Sequence, residues 1–355
     1  MEVRKSQAVL GGGWLGAELV DDPGRWKVEL PAAVRDELVE LAARRVGRAP
    51  SLDERAPAVG VATAEFVSRL RDMYTSGCYF AIVTGFPYEP LDVARDVYWL
   101  LGLLLGDPVP QSPTPAGRAI GHLEDVAKPD WQYESSMALD FHSDPADLVS
   151  MLCIRSAASG GVSYLASART VHDLLVAQSP DLLAELYRPL QQAWLTVKET
   201  PKPWTAVPVF GFAAGDFSMR YDRGHTYAGQ RHDVTPRLTP AQVKAMDAID
   251  EILARPEVAL EMTLRPGEME VFNNAEILHA RSAYGGAPEG AGRLLLRLLL
   301  SYAESPELPA EYQELYGTTA AGTYRGGAWP DENRSDRVGR PVRPVNPVRP
   351  DGDPA

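Results

Sequence analysis

Gly292-Arg293-Leu294-Leu295-Leu296-Arg297-Leu298-Leu299-Leu300-Ser301 is an apolar run that carries two arginines, and His279 lies one short connection upstream. Read as a strand, it puts Arg293, Leu295 and Arg297 on one face and Leu294, Leu296 and Leu298 on the other. Two guanidiniums then point into one apolar wall. A bare buried charge is costly, so each arginine needs an anion. None of the nearby strand residues supplies one. The expectation is a pocket that receives carboxylates.

Working outward, Tyr79 to Thr84 reads as a buried strand stopped by Gly85 and Pro87, and further strand-like runs occupy 138–141, 149–155, 161–167, 259–264, 269–272 and 279–281. Helical patterns cover 32–45, 64–76, with Thr63 as the cap and Gly77 as the stop, and 91–105. Ser179-Pro180 and the capping box Thr239-Pro240-Ala241-Gln242 each open a helix in the middle of the chain. Early strands, a mixed insertion and late strands suggest a sandwich or open barrel closed by distant pieces of chain. The stretch 106–137 has no periodicity and is too long for a plain connector, which marks it as a functional loop. The domain expectation is one elaborated unit over 1–332. It has N-terminal helices at about 30–77, strands at about 79–84, 138–168 and 259–302, and a helical lid insertion at about 169–258. A Pro/Arg-rich tail at 333–355 is expected to be extended or disordered in isolation.

A non-haem iron site uses two histidines and one carboxylate on one face of the metal, leaving the other positions for substrate and oxygen. His142-Ser143-Asp144, after the strand-like 138–141, offers two such groups at i and i+2. The motif is weak alone, and the chain holds a second in His122-Leu123-Glu124, within the polar loop. Three features favour the later pair: its strand context, the turn Ser159-Gly160-Gly161-Val162-Ser163 that delivers a hydroxyl onto the next strand, and His279 after the strand that Pro266-Gly267-Glu268 opens.

This combination resembles the clavaminate synthase and taurine dioxygenase (TauD/TfdA-like) group of iron(II)/2-oxoglutarate oxygenases over about Tyr79 to Tyr302. The resemblance implies a mainly β fold with flanking helices, a double-stranded β-helix or distorted jelly roll. It makes His142, Asp144 and His279 the iron ligands, and Arg293 with Ser163 the clamp for the distal carboxylate of 2-oxoglutarate. Arg297 matches a second arginine that contacts substrate or the carboxylate nearer the iron. Iron(II), 2-oxoglutarate and O2 follow as cofactor and cosubstrates. Because Asp144 is present, hydroxylation is favoured over halogenation, with desaturation and ring closure left open.

Substrate contacts are expected from Arg220, Arg223 and His122, with Trp131, Tyr133 and Glu134 of similar standing. An amino acid or amino-acid-derived metabolite is the leading substrate class, reached by a natural-product hydroxylase. A catabolic sulfonate or aryloxy-acid dioxygenase is one alternative, and a non-catalytic jelly-roll binding protein with structural histidines is another. Composition narrows the partners. Thirty-five Lys+Arg against 48 Asp+Glu, a net charge of -13 and the lack of a basic aromatic stripe argue against nucleic acid. The most apolar stretch is about half a membrane span, two cysteines make no disulfide framework, and a cytoplasmic location fits both. The oligomeric state stays open.

Overall fold

The computed structural model describes residues 8–45, 47–111, 118–125, 134–194, 202–285, 292–327, 329, 334–343 and 348. Trp131 and Tyr133 lie outside these residues, as do parts of the 106–137 loop. No described helix is long and apolar enough to cross a membrane.

Two sheets face each other. The larger is built from β1 (Lys27–Glu29), β2 (Phe80–Thr84), β3 (Asp107–Val109), β4 (Gly121–Leu123), β6 (Leu148–Arg155), β9 (Met269–Asn273) and β11 (Leu294–Ser301). Its order is β1-β2-β9-β6-β11-β3, with β4 also on β11. The smaller sheet contains β5 (Leu139–His142), β7 (Ser163–Ser167), β8 (Leu260–Met262) and β10 (Ile277–Arg281), in the order β8-β7-β10-β5. β1 and β2 run parallel; every other pairing in the two sheets is antiparallel. Late strands sit between early ones in both sheets, so neither forms until distant chain returns. This is the double-stranded β-helix expected above.

Strand alternation sorts the core into layers. Leu294, Leu296 and Leu298 of β11, with Leu148 and Leu152 of β6, join a cluster with three helices: α1 (Ala32–Ala43), α2 (Val61–Thr75) and α3 (Leu91–Leu105). The opposite set, Leu295, Leu299, Val149, Met151 and Cys153, packs between the sheets against Leu165, Leu260 and Ile277. Eleven of the fifteen residues of α3 are buried, including all from Asp96 to Leu105, as expected for a helix apolar on most sides. A third cluster joins α4 (Ala168–Gln178), α5 (Pro180–Leu186) and α7 (Pro240–Leu253) behind the smaller sheet.

Two caps differ from the local reading. Thr63 lies inside α2, whose cap position is Gly60. Glu37 of α1 takes both groups, accepting from the Gly60 amide at 2.8 Å and the Thr63 hydroxyl at 2.6 Å. A carboxylate from a neighbouring helix satisfies the free amide and suits the positive end of the helix dipole. Ser179 precedes α5 without a side-chain cap bond. The Thr239–Gln242 capping box is present on α7. Residues 334–343, part of the stretch read as a tail, lie against the body instead. Asp107, 4% exposed, draws in Arg337 and Arg343, and Val342 is buried. A carboxylate buried that deeply needs cationic partners.

Candidate active site

β5 and β10 are neighbours in the smaller sheet, and His142 and His279 are register partners across them. Their rings lie 4.2 Å apart between centroids. Asp144 falls just beyond the end of β5, so strand alternation alone does not aim it; Asn274, after β9, does. The Asn274 side-chain carbonyl oxygen accepts from the Asp144 amide at 2.8 Å, while the NH2 of the same side chain donates to the backbone carbonyls of Asp144 and Ala146 at 2.5 and 2.8 Å. The Asp144 carboxylate then sits 3.9 Å from His142 Nε2 and 3.8 Å from His279 Nε2. One ligand atom from each of the three lies within 4.8 Å of the others.

Protonation suits a metal site. His142 Nδ1 is 2.7 Å from the Asp140 carbonyl, which can only accept, so Nδ1 carries a proton and Nε2 is the nitrogen turned toward Asp144. Burial, followed by the adjacent His142, pushes His279 down to about 3, leaving it a neutral imidazole near pH 7. Burial works to raise Asp144, but Arg297, His279 and His142 outweigh it and hold the carboxyl at about 2. Two imidazoles and one carboxylate converging on one point fit the donor set of a non-haem iron(II) centre.

Around these residues is a cavity of about 440 Å³, lined among others by Ser163, Arg220, Glu270, Arg293, Arg297 and Trp329. That volume is within the usual range for a small-molecule site. Arg293 is 5% exposed, and its Nη1 has no hydrogen-bond partner among the described residues. Its guanidinium carbon stands 5.3 Å from the Tyr284 ring centroid. The Gly160-Gly161 turn makes room for it. Both glycines are left-handed, at φ +67° and +69°; a Cβ on Gly160 would come 2.0 Å from the Ala283 carbonyl oxygen, and one on Gly161 would reach Arg293 at 3.4 Å.

Arg297 corrects one inference. Although no nearby strand residue seemed to offer it an anion, Asp144 does, with Nη1 at 3.1 and 3.4 Å from the two carboxylate oxygens, while Nε donates to Gln111 at 3.0 Å. Arg220 lines the cavity but donates to the carbonyl and hydroxyl of Ser143. Arg223 opens helix α6 (Arg223–Gly229), and both arms of its guanidinium are engaged by Asp250 and Asp247. His122 does not line the cavity: in β4 it pairs with Leu296, whose side chain faces the helices, and Leu123 takes the inward position. Glu134 is not among the lining residues either.

Three lining or supporting groups escaped the sequence reading. Arg281, 5% exposed, lines the cavity two residues after His279, stacks 4.7 Å from the Tyr284 ring, and donates to the carbonyls of Ser135 and Met137. Alternation along β10 could have found it. Glu270 is an acid in an otherwise apolar strand, a signal that was present. Asn274 offers none, because its role depends on a partner 130 residues away.

The sequence matches the family model described as taurine catabolism dioxygenase TauD, TfdA family, over residues 55–299. The chain belongs to that family. It is an iron(II)/2-oxoglutarate-dependent dioxygenase, using O2 as the second cosubstrate. FR-33289 synthase of Streptomyces rubellomurinus is 28% identical over 332 residues, which span 87% of this chain and 94% of that protein. An asparagine oxygenase solved with Fe(II), 3-hydroxyasparagine and succinate aligns with a TM-score of 0.59 at 20% identity, covering 81% of this chain and 98% of its own. The oxygenase OrfP with iron and alpha-ketoglutaric acid gives 0.59 at 14%, covering 83% and 98%. At these identities the two structures establish the shared fold.

Proposed function

We propose that this TauD/TfdA-family dioxygenase hydroxylates an aliphatic carbon of a small zwitterionic metabolite, an amino acid or a compound derived from one. In this reading His142, Asp144 and His279 hold the iron, Arg293 with Ser163 holds the distal carboxylate of 2-oxoglutarate, and the rest of the cavity takes the substrate. The observation that carries it is the meeting of the triad and Arg293 in one cavity whose lid side bears both signs of charge, with Asp222 and Arg231 among its lining. An ammonium and a carboxylate each find a complement there. A product-bound relative in fold carries a hydroxylated amino acid, and OrfP has been solved with (3S)-hydroxy-L-Arg.

When bound, iron(II) with 2-oxoglutarate and O2 supplies the oxidising power, releasing succinate and CO2. The chain supplies placement. Asp144 and the two histidines would hold the ion through one carboxylate and two imidazoles, a set of three ligands that would leave room for the cosubstrate and oxygen. Arg293 offers a planar fork matched to a carboxylate. The Ser143 hydroxyl accepts from the Tyr221 amide at 3.0 Å, so the lid segment and the metal-binding segment are tied together. Substrate position and ligand position are therefore coupled, as near-attack geometry requires.

Substrate-stimulated succinate formation across a panel of amino acids, sulfonates and aryloxy acids tests this reading. Stimulation by an amino-acid member, with product heavier by one oxygen, is the expected result; stimulation confined to sulfonates or aryloxy acids would overturn the substrate class. Asn274→Ala is expected to weaken iron binding about 10- to 100-fold, the usual effect of losing a group that orients a ligand. Anaerobic iron(II) titration reads this directly, and wild-type affinity would show that Asn274 does not hold Asp144 in its ligating position.

A further inference from the structure

Glu270 sits where a carboxyl is costly. Its neighbours Met269 and Val271 belong to the helix-side core, so Glu270 takes the opposite face of β9 and lines the cavity. It is 1% exposed. Strand pairing sets it beside Met151 of β6, which is flanked on its other side by Arg297. Among the described residues its Oε2 has no hydrogen-bond partner, and neither does Nη1 of Arg293, which lines the same cavity. The two groups attract each other electrostatically, yet these two buried atoms do not bond to one another. Buried polar atoms left in this state cost free energy until a ligand satisfies both.

A carboxylate accepts from both. From Arg293 it takes guanidinium hydrogen bonds; from Glu270 it can take one only if Glu270 keeps its proton, because two adjacent carboxylates cannot both remain ionised. We propose that Glu270 is a cosubstrate-binding residue, which as a neutral acid donates a hydrogen bond to the distal carboxylate held by Arg293. The proposal rests on the assignment of that carboxylate to Arg293. Once ionised, Glu270 competes with the cosubstrate for the same guanidinium. Binding of 2-oxoglutarate is therefore linked to one proton.

The surroundings favour the neutral acid. Burial pushes Glu270 up to about 8, with Arg293 pulling the other way. From β6, the Cys153 thiol is itself pushed up to about 11 by burial. Tyr98 of α3, behind the sheet, is raised by burial and stays neutral. β2 offers the apolar Ile82 as the register partner. Across the cavity, Tyr284 and Arg281 surround Arg293. Of the cations named, Arg293 is the one that acts on Glu270.

The test is anaerobic calorimetric titration of 2-oxoglutarate into the iron(II)-loaded protein. With one linked proton, wild-type Kd is expected to weaken about tenfold from about pH 7 to about pH 9. Near pH 8, titrations in two buffers of different protonation enthalpy should show uptake of about half a proton. Glu270→Gln keeps the shape and a donor, so it should bind like wild type at about pH 7 and change less than about twofold across the range. Should that variant fold poorly, Glu270→Met, compatible with an apolar wall, should bind more weakly than wild type at about pH 7 and show the same flat profile. No proton uptake by wild type, or a glutamine or methionine variant that weakens with pH as wild type does, overturns the proposal. Arg293→Ala separates the two levels: weak binding by that variant with no proton uptake by wild type removes only Glu270, whereas wild-type affinity in Arg293→Ala removes the underlying site.

Discussion

Asp144→Gly is expected to abolish hydroxylation, lowering kcat/KM by well over about 100-fold, since even groups that merely orient metal ligands are worth about 10- to 100-fold. Asp144 is the anionic member of the three groups that meet within 4.8 Å, and glycine leaves only the two imidazoles. The substitution also strips Arg297 of the carboxylate 3.1 Å away, leaving a guanidinium that is 6% exposed short of its anion. Chloride can then enter beside that cation, but halogenation requires in addition that the substrate carbon lie nearer chloride than hydroxide. The decisive assay compares succinate and oxidised product from wild type and variant under identical iron, oxygen and 2-oxoglutarate, with an unfolding curve for each to show that the variant is folded. Hydroxylation at the wild-type rate by a folded Asp144→Gly protein would move the carboxylate ligand to another acid.

The parts of this site legible in the sequence are those fixed by strand period. Arg297 falls on the inward face of β11 because alternation puts it there, Arg293, the residue just before that strand, lines the same cavity, and His279 lies in β10 at a position that pairs directly with His142. What pairing across the fold decides was not legible. The anion for Arg297 is 153 residues away, and the cap of α2 is Glu37 rather than the nearer Thr63 because a charged carboxylate reaches both the Gly60 amide and that hydroxyl. Arg223 illustrates the same limit: it lines the cavity while ion-paired to Asp247 and Asp250 of α7, acids that only the folded chain brings alongside. Glu270 and Arg281 were different. Both were visible as charged residues at inward strand positions, by the same alternation that singled out the arginines of β11.

Arg293→Ala is expected to weaken 2-oxoglutarate binding by roughly 100- to 3000-fold while iron(II) still binds. The magnitude follows from leaving one member of a buried charge pair alone, about 3 to 5 kcal/mol, at 1.4 kcal/mol per factor of ten. Arg293 is 5% exposed, with an Nη1 that has no hydrogen-bond partner among the described residues, so little water is available to replace it. Burial lowers its own pKa, but an arginine stays charged throughout the accessible range. Arg293→Lys separates charge from geometry: the ammonium restores the attraction but lacks the planar fork, so its Kd should fall between those of alanine and wild type. Anaerobic titration followed by the visible iron-to-cosubstrate charge-transfer band gives each Kd, and iron titration without cosubstrate shows that the triad is intact. Equal 2-oxoglutarate affinity in wild type and Arg293→Ala would refute the role.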